Sequence, residues 1–348
     1  MLSYKKINQA EASNWNINLQ KTDASFFQYP YFGAGYKYLP KGSVSFYELY
    51  EDDQLIGFTS CLNINILFIK IGLILRGPVL LQEHKAKETV SVLKKILKKE
   101  RYFFIRVNPN RKNESLVNAL ESDKKILKID AFPIYKGSQG FDFAVNKVDG
   151  ADKILESYKP RARQNIRYAQ EENFDFVKSN DLDDLKNVYD MFLKVSDKKE
   201  FAYRSFNSYK EIIQNGALYN LCMIYLAKKN GIVVNAAIIV KDKNTFNYFS
   251  GGMIDGDYRP RNSPSTLLHH EIIQDCFIVE NKQYYNISYT APSHPVYVFK
   301  SSFNPLPVEY PMYFTLSYFR FFVKIFYFFS VKITPKLKKI IKQKYGNR

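Results

Sequence analysis

Three groups of residues have the types and spacing to do chemistry. Lys300 stands between Phe299 and Phe303, just after a strand-like stretch. A lysine held there on an aromatic segment can donate to the oxyanion that develops during acyl transfer. A surface lysine with its stem laid along apolar neighbours is the competing account. Lys159, Arg161, Arg163 and Arg167 crowd into the run Lys159–Arg167 at the start of a helix pattern. Guanidinium forks donate paired, charge-assisted bonds to phosphate, and Arg163 and Arg167, four apart, share a helix face. The plain alternative is a solvated face with an Arg167–Glu171 pair. Arg259 and Arg261 precede Ser263-Pro264, an N-cap followed by proline at the first helical position. Free N–H groups and the helix dipole make such a start an anion site, although an ordinary capped helix with surface arginines fits as well.

The other titratable residues narrow little. His294 sits in a loop near Lys300 and is a candidate substrate contact, or a plain loop histidine. His269 and His270 are adjacent, so they point to different sides of their helix and cannot form an i,i+4 metal pair. Asp255, Asp257 and Glu271 are candidates to take a proton from an attacking amine, and the sequence does not choose among them. Cys61, Cys222 and Cys276 lie in apolar patterns without CxxC spacing, as buried thiols in a reducing compartment would. No metal constellation, P-loop or GxSxG elbow is visible.

The elements that must position these residues follow one grammar twice. Ser45–Tyr50 and Leu55–Asn63 alternate around Glu51-Asp52-Asp53, strand-like residues run from Leu67 to Leu75, a helix pattern covers about Glu83–Lys99, and Tyr102–Val107 returns as a strand. Leu221–Lys228 and Ile232–Lys241 then flank an Asn-Gly hairpin signal. Thr245–Ser250 adds a strand, a helix runs from Ser263 to about Val279, and Tyr284–Ser288 closes the pattern. Helices are expected at about Ala151–Asn173, Leu182–Val195 and Asn207–Gln214, with a boundary near Pro133–Gly140. The expected class is α/β (α+β): two domains at 1–138 and 139–311, each a mostly antiparallel mixed sheet with helices against it, and a tail at 312–348.

The chain has 348 residues, 46% hydrophobic and 24% charged, which excludes a disordered or fibrous reading. Its net charge of +17 is uneven: nine Lys/Arg and no acid follow Glu309, so residues 1–309 carry 17 − 9 = +8. Met312–Ser330 is almost wholly apolar apart from Arg320 and Lys324. Spanning a bilayer would place both cations near its middle at roughly 2.5–3.5 kcal/mol each. An amphipathic helix lying on an anionic membrane surface avoids that cost, and the lysines that follow, Lys332 to Lys344, suit the same surface. A helix packed on the protein's own body is the alternative. The N-terminus lacks an apolar run of signal-peptide length, which points to the cytoplasm, peripheral on the inner face of the cell membrane. Nucleic-acid binding is the weaker reading of the charge, because so much of it lies beside a hydrophobic run, and no DNA partner is expected.

In order and spacing, several motifs resemble the Fem family of peptidoglycan interpeptide-bridge aminoacyltransferases, relatives of the acetyltransferase (GNAT) superfamily. They are Phe26-Phe27-Gln28, Arg76-Gly77-Pro78-Val79, Arg161–Ala169, Leu267–Ile272, and Phe299-Lys300 with Phe303, and the resemblance covers nearly all of residues 20–305. It implies tandem acetyltransferase-like domains and transfer of an aminoacyl or acyl group to an amine of a cell-envelope precursor, a peptidoglycan stem peptide or an amino sugar of a surface polysaccharide. It further implies a charged tRNA or acyl-CoA donor with no bound cofactor, a phosphate-bearing acceptor, Lys300 as the site lysine, and Arg161, Arg163 and Arg167 near substrate phosphates. Phe32 stands where the family has tryptophan, Asn286 where it has aspartate, and Asn304 where it has glycine, changes expected to alter the cleft walls. The backbone cradle that acetyltransferases use for coenzyme A is not visible. A catalytically silent relative that binds envelope lipid or polysaccharide is the alternative function.

Overall fold

A computed structural model describes residues 1–39, 41–66, 68–128, 141–199, 203–254, 262–294 and 296–329. Contacts divide them into two units. The first takes Met1–Glu11, the described part of Lys41–Gly140, and the chain from Tyr310; the second takes Ala12–Leu39 and the described part of Phe141–Glu309.

In the first unit, period-2 alternation builds a sheet ordered Leu2–Ile7, Gly42–Glu51, Gln54–Ile66, Ile69–Leu75, Phe104–Asn108, Phe314–Leu316 and Leu127–Lys128, with Val79–Leu80 pairing the third strand. Ile69–Leu75 and Phe104–Asn108 pair in parallel while their neighbours pair antiparallel. Parallel neighbours need a crossover, supplied here by the helix Ala86–Lys99, whose Val90, Leu93 and Leu97 pack on Tyr47, Ile74 and Ile105.

The second unit repeats the plan in the order Leu306–Glu309, Phe141–Asn146, Tyr284–Asn286, Thr245–Met253, Ile232–Lys241, Cys222–Lys229 and Asp175–Ser179. Its parallel pair is Thr245–Met253 with Tyr284–Asn286, connected through the helix Pro264–Gln274. The Asn-Gly hairpin forms as expected, with Asn230 at φ 52° and Gly231 at φ 77°.

Three boundaries differ from the sequence expectation. Residues 12–39 belong to the second unit and not to a 1–138 domain, because Phe32 packs at 5.1 Å from Phe249, Tyr31 Oη donates to the Lys241 carbonyl, and Ser208 Oγ donates to the Gly35 carbonyl. Residue 312 does not begin a tail: Phe314–Leu316 is a strand between Phe104–Asn108 and Leu127–Lys128 in the first sheet. The helix expected at Ala151–Asn173 breaks into Ala151–Ser157 and Pro160–Gln170, since proline restricts the residue before it and starts the second helix at its first position. The helix expected from Ser263 to about Val279 does end there, its last turn being a π-turn over Asp275–Val279. The boundary expected at Pro133–Gly140 and the tail from residue 330 lie outside the described residues.

Candidate active site

Three residue pairs, Thr245–Tyr284, Phe246–Tyr285 and Asn247–Asn286, make up the parallel contact in the second sheet. Beyond Asn247 one strand runs on to Met253, while the other turns away through Ser288 at φ 63°. Ser288 bridges the opening: its Oγ donates to the Tyr248 carbonyl at 3.0 Å and its N–H to Asn286 Oδ1 at 2.9 Å.

Lys300 enters this opening from the short helix Tyr297–Ser301. It is 7% exposed, so the snorkelling account fails. Its Nζ donates to the Ser288 carbonyl at 3.2 Å and lies 5.6 Å from the Tyr248 ring centroid. Burial lowers its pKa from 10.5 to about 8, opposed by attraction to the Asp142 carboxylate. At neutral pH the head is therefore still an ammonium, held where few other groups solvate it.

His269 forms the wall beside it. Its ring meets Tyr248 edge-on at 4.8 Å and Phe299 at 5.3 Å, and Nδ1 is hydrogen-bonded to Tyr285 Oη at 2.5 Å. Burial first, and then the charge of Lys300, push its pKa down to about 3. His270 turns to Tyr158 Oη at 3.2 Å, and burial lowers it to about 4. Both are neutral packing residues at pH 7, and they diverge as adjacent helical positions must.

Asn286 donates from Nδ2 to Asp142 Oδ2 and to Asn247 Oδ1, both at 3.2 Å, and all three side chains are buried. A carboxylate does stand in this network, carried by Asp142 on the neighbouring strand. Asp142, Asn247, Tyr248 and Ser288 were all missed by sequence reasoning. The signal for Asp142 was an acid inside the strand pattern Phe141-Asp142-Phe143, where the burial is inverted: Phe141 is 42% exposed and Asp142 is 8%.

The basic helix reaches the same neighbourhood by its first residue. Lys159 N–H donates to the Ser302 carbonyl at 2.9 Å, and Tyr158 packs on Phe303 at 5.2 Å. Arg163 donates to the Glu156 carbonyl at 3.1 Å. Arg161 and Arg167 are exposed and have no ion-pair partner among the described residues, so the Arg167–Glu171 pair does not form. His294 is exposed, and its Nδ1 accepts from the Val296 N–H at 3.2 Å, which occupies it in its own turn. Glu271 is not a base for this site. It lies two residues along the helix from His269 and lines a separate hollow of about 360 Å³ with Lys178, Tyr225 and Asp275. Phe32 is fully buried against Phe26, Tyr36 and Phe249, so the change from tryptophan alters core and not a cleft wall. Arg259, Arg261, Asp255 and Asp257 lie outside the described residues.

Residues 157–281 match the model of the acetyltransferase (GNAT) domain family, a stretch that takes in the basic helix and stops before Lys300. A search by sequence among curated proteins finds no match. The crystal structure of FemX aligns with a TM-score of 0.75 at 12% identity, covering 92% of this chain and 99% of that one. The chain thus carries a GNAT acetyltransferase domain at residues 157–281, and over nearly its whole length its fold is similar to that of FemX. A tandem GNAT protein from the clavulanic acid biosynthesis pathway aligns at 0.54 with 9% identity, over 91% of this chain and 98% of that one. The C-terminal domain of a putative lysylphosphatidylglycerol synthetase from Agrobacterium fabrum aligns at 0.57 with 11% identity, over 92% and 95%. In the second sheet of this fold, the parallel pair parts after three residue pairs beside the buried Lys300.

Proposed function

We propose that the protein is an N-acyltransferase that moves an aminoacyl or acyl group onto an amine of a cell-envelope precursor, with Lys300 as the catalytic residue. The observation that carries this reading is the buried Lys300 ammonium at the mouth of the opened strand pair. The acetyltransferase domain and the Fem-like fold support the reaction class.

The donor is an activated ester: an aminoacyl-tRNA, or an acyl-CoA thioester. The acceptor amine attacks the donor carbonyl, a C–N bond forms, and the C–O or C–S bond to the carrier breaks as the carrier leaves with the electron pair. The amine's proton passes to a base or to solvent. Holding amine and carbonyl together supplies on the order of 7–11 kcal/mol in well-oriented systems. The Lys300 ammonium, aimed at the developing oxyanion, adds about 3–4 kcal/mol. Beyond Asn247 the strand edge is open to an extended, amide-bearing donor arm. Lys159, Arg161, Arg163 and Arg167, on the helix that touches Ser302, suit phosphates of the acceptor or of a tRNA end, and Asn286 with Asp142 sets the charge behind Lys300. A peptidoglycan stem peptide or a polysaccharide amino sugar on a phosphate-bearing carrier meets these requirements. An anionic membrane surface as a further partner is supported by the exposed aromatic side of the helix Arg320–Phe328; among the described residues no helix is long and apolar enough to cross a membrane.

The test is to incubate the protein with labelled aminoacyl-tRNA or labelled acyl-CoA and extracted envelope precursors, followed by mass spectrometry of the amines. One donor is expected to label an amine in a Lys300-dependent way. If neither donor reacts with any acceptor, the enzyme reading fails.

A further inference from the structure

We infer that a lysine pocket on the first unit binds the phosphate headgroups of an anionic bilayer and seats the outer face of the helix Arg320–Phe328 on that bilayer. This rests on the membrane-surface reading above and moves its principal contact from the tail lysines to the folded body.

The pocket encloses about 280 Å³ beside the first strand, and Lys94, Lys95, Lys98, Lys99, Tyr4 and Tyr318 line it, with no acidic residue among the lining. Four cations within six residues put like charges on adjoining turns of one helix, an unfavourable arrangement unless an anion answers it. The neighbouring acids answer it little. Asp123 takes Lys94, while Glu100 takes Lys6. Lys95 donates to the Leu2 carbonyl at 2.6 Å, and Lys99 lies 6.0 Å from the Tyr4 ring centroid. Lys98 is exposed and has no ion-pair partner among the described residues. Lysines near a helix C-terminus also suit the helix dipole, but that effect does not need a hollow between them.

Tyr318 joins the pocket to the helix that follows. Its Oη donates to the Lys94 carbonyl at 3.3 Å. The helix Arg320–Phe328 then packs inward through Val323, 1% exposed, and Phe326, whose ring sits 5.9 Å from Phe104. Its other side keeps Phe321 (70% exposed), Phe322, Ile325 and Phe328 in water, framed by exposed Arg320 and Lys324. An apolar face of this kind marks an interaction surface. A second copy of the chain would bring Arg320, Lys324 and the lysine cluster against themselves, since a two-fold contact pairs a patch with its own equivalent. An anionic bilayer takes both features, with its phosphates at the lysines and its acyl boundary at the phenylalanines.

The test uses the full chain in flotation with phosphatidylcholine vesicles, with and without phosphatidylglycerol. Wild type is expected to float only with phosphatidylglycerol. K98Q/K99Q, at exposed positions, is expected to lower partitioning roughly thirtyfold, about fivefold per lysine, at unchanged Tm. F321S/F322S is expected to lower it at least tenfold. A full-length chain with Lys338, Lys339, Lys342 and Lys344 changed to Gln should bind less and still respond to K98Q/K99Q. If that tail variant loses all binding while K98Q/K99Q floats like wild type, the tail acts alone and the pocket inference is overturned. If wild type never floats, the membrane reading falls with it. A lipid-free dimer that F321S/F322S dissociates would assign the face to a second copy and overturn the inference.

Discussion

Replacing Lys300 by methionine should separate turnover from stability. Burial lowers the Lys300 pKa from 10.5 to about 8. At about 1.4 kcal/mol per unit, the charged head costs the fold roughly 3 kcal/mol at neutral pH. The uncharged thioether of K300M would recover that cost and lose the bond to the Ser288 carbonyl, worth about 1 kcal/mol. The net expectation is a gain of about 2 kcal/mol in stability at pH 7, read by urea unfolding. The sign fixes the pH window. The unfolded chain holds the Lys300 proton up to about 10.5 and the folded chain releases it near 8, so wild-type stability rises with pH between those values. The advantage of K300M should accordingly be full below pH 8 and fade towards 10.5. Turnover should fall by roughly 10²–10³, the effect of deleting one oxyanion donor. Because the ammonium is the working form, the wild-type rate should decline as pH rises through about 8, whereas a lysine acting as base would give a rate that climbs there. A K300M protein that is less stable than wild type at pH 7, or that keeps its turnover, would refute the assignment.

Two further perturbations probe the surroundings of Lys300. N286D places a second carboxylate against Asp142, whose Oδ2 is 3.2 Å from the present amide nitrogen, and is expected to cost roughly 2–4 kcal/mol at pH 7. D142N/N286D should recover more than half of that loss in urea unfolding, the remainder reflecting the Asn247 oxygen that now faces a carboxylate; a double variant as unstable as N286D would show that the pair is not coupled. G251A puts a methyl group 2.7 Å from the Ala236 carbonyl oxygen and into the Tyr248 ring, so it should cost about 1–3 kcal/mol and lower turnover, measured by thermal unfolding and initial rates. Wild-type values for G251A would mean that the Tyr248 platform is not fixed as described.

What the sequence showed and what it hid follow from the range of the interactions. Alternating strands and the Asn230-Gly231 turn are local, and both sheets appear close to where period 2 places them. The break at Pro160 was equally local and readable, yet the apolar period on either side masked it. The placement of residues 12–39 in the second unit depends on Phe32 meeting Phe249, a contact no periodicity encodes. Lys300 was legible as a position, but its burial was not, because that depends on how far two strands separate. Asp142 was hidden for a related reason. An acid between two phenylalanines reads as the solvent side of a strand, and here it is the inner side, turned towards Asn286.

The two units use the same sheet plan and treat its parallel pair differently, and that difference is the reason the proposed chemistry is assigned to the second. In the first unit the parallel pair runs in register from Ile71–Phe104 to Leu75–Asn108, and Gly77 N–H extends it by donating to the Asn108 carbonyl at 3.0 Å. Arg76 then closes the end, donating to Asn108 Oδ1 at 2.6 Å and stacking on Tyr310 at 3.2 Å, while Asn108 Nδ2 donates to the Pro311 carbonyl. The strand ends are filled by protein groups. In the second unit the parallel pair stops at Asn286, and Ser288 turns the chain away in a left-handed conformation. The carbonyl it presents there is answered by Lys300 rather than by a neighbouring strand. A sheet that is sealed stores no polar edge for a substrate. One that opens after three residue pairs, with a buried ammonium beside the gap, suits the proposed reaction, which needs an edge for an extended donor and a charge for its carbonyl oxygen.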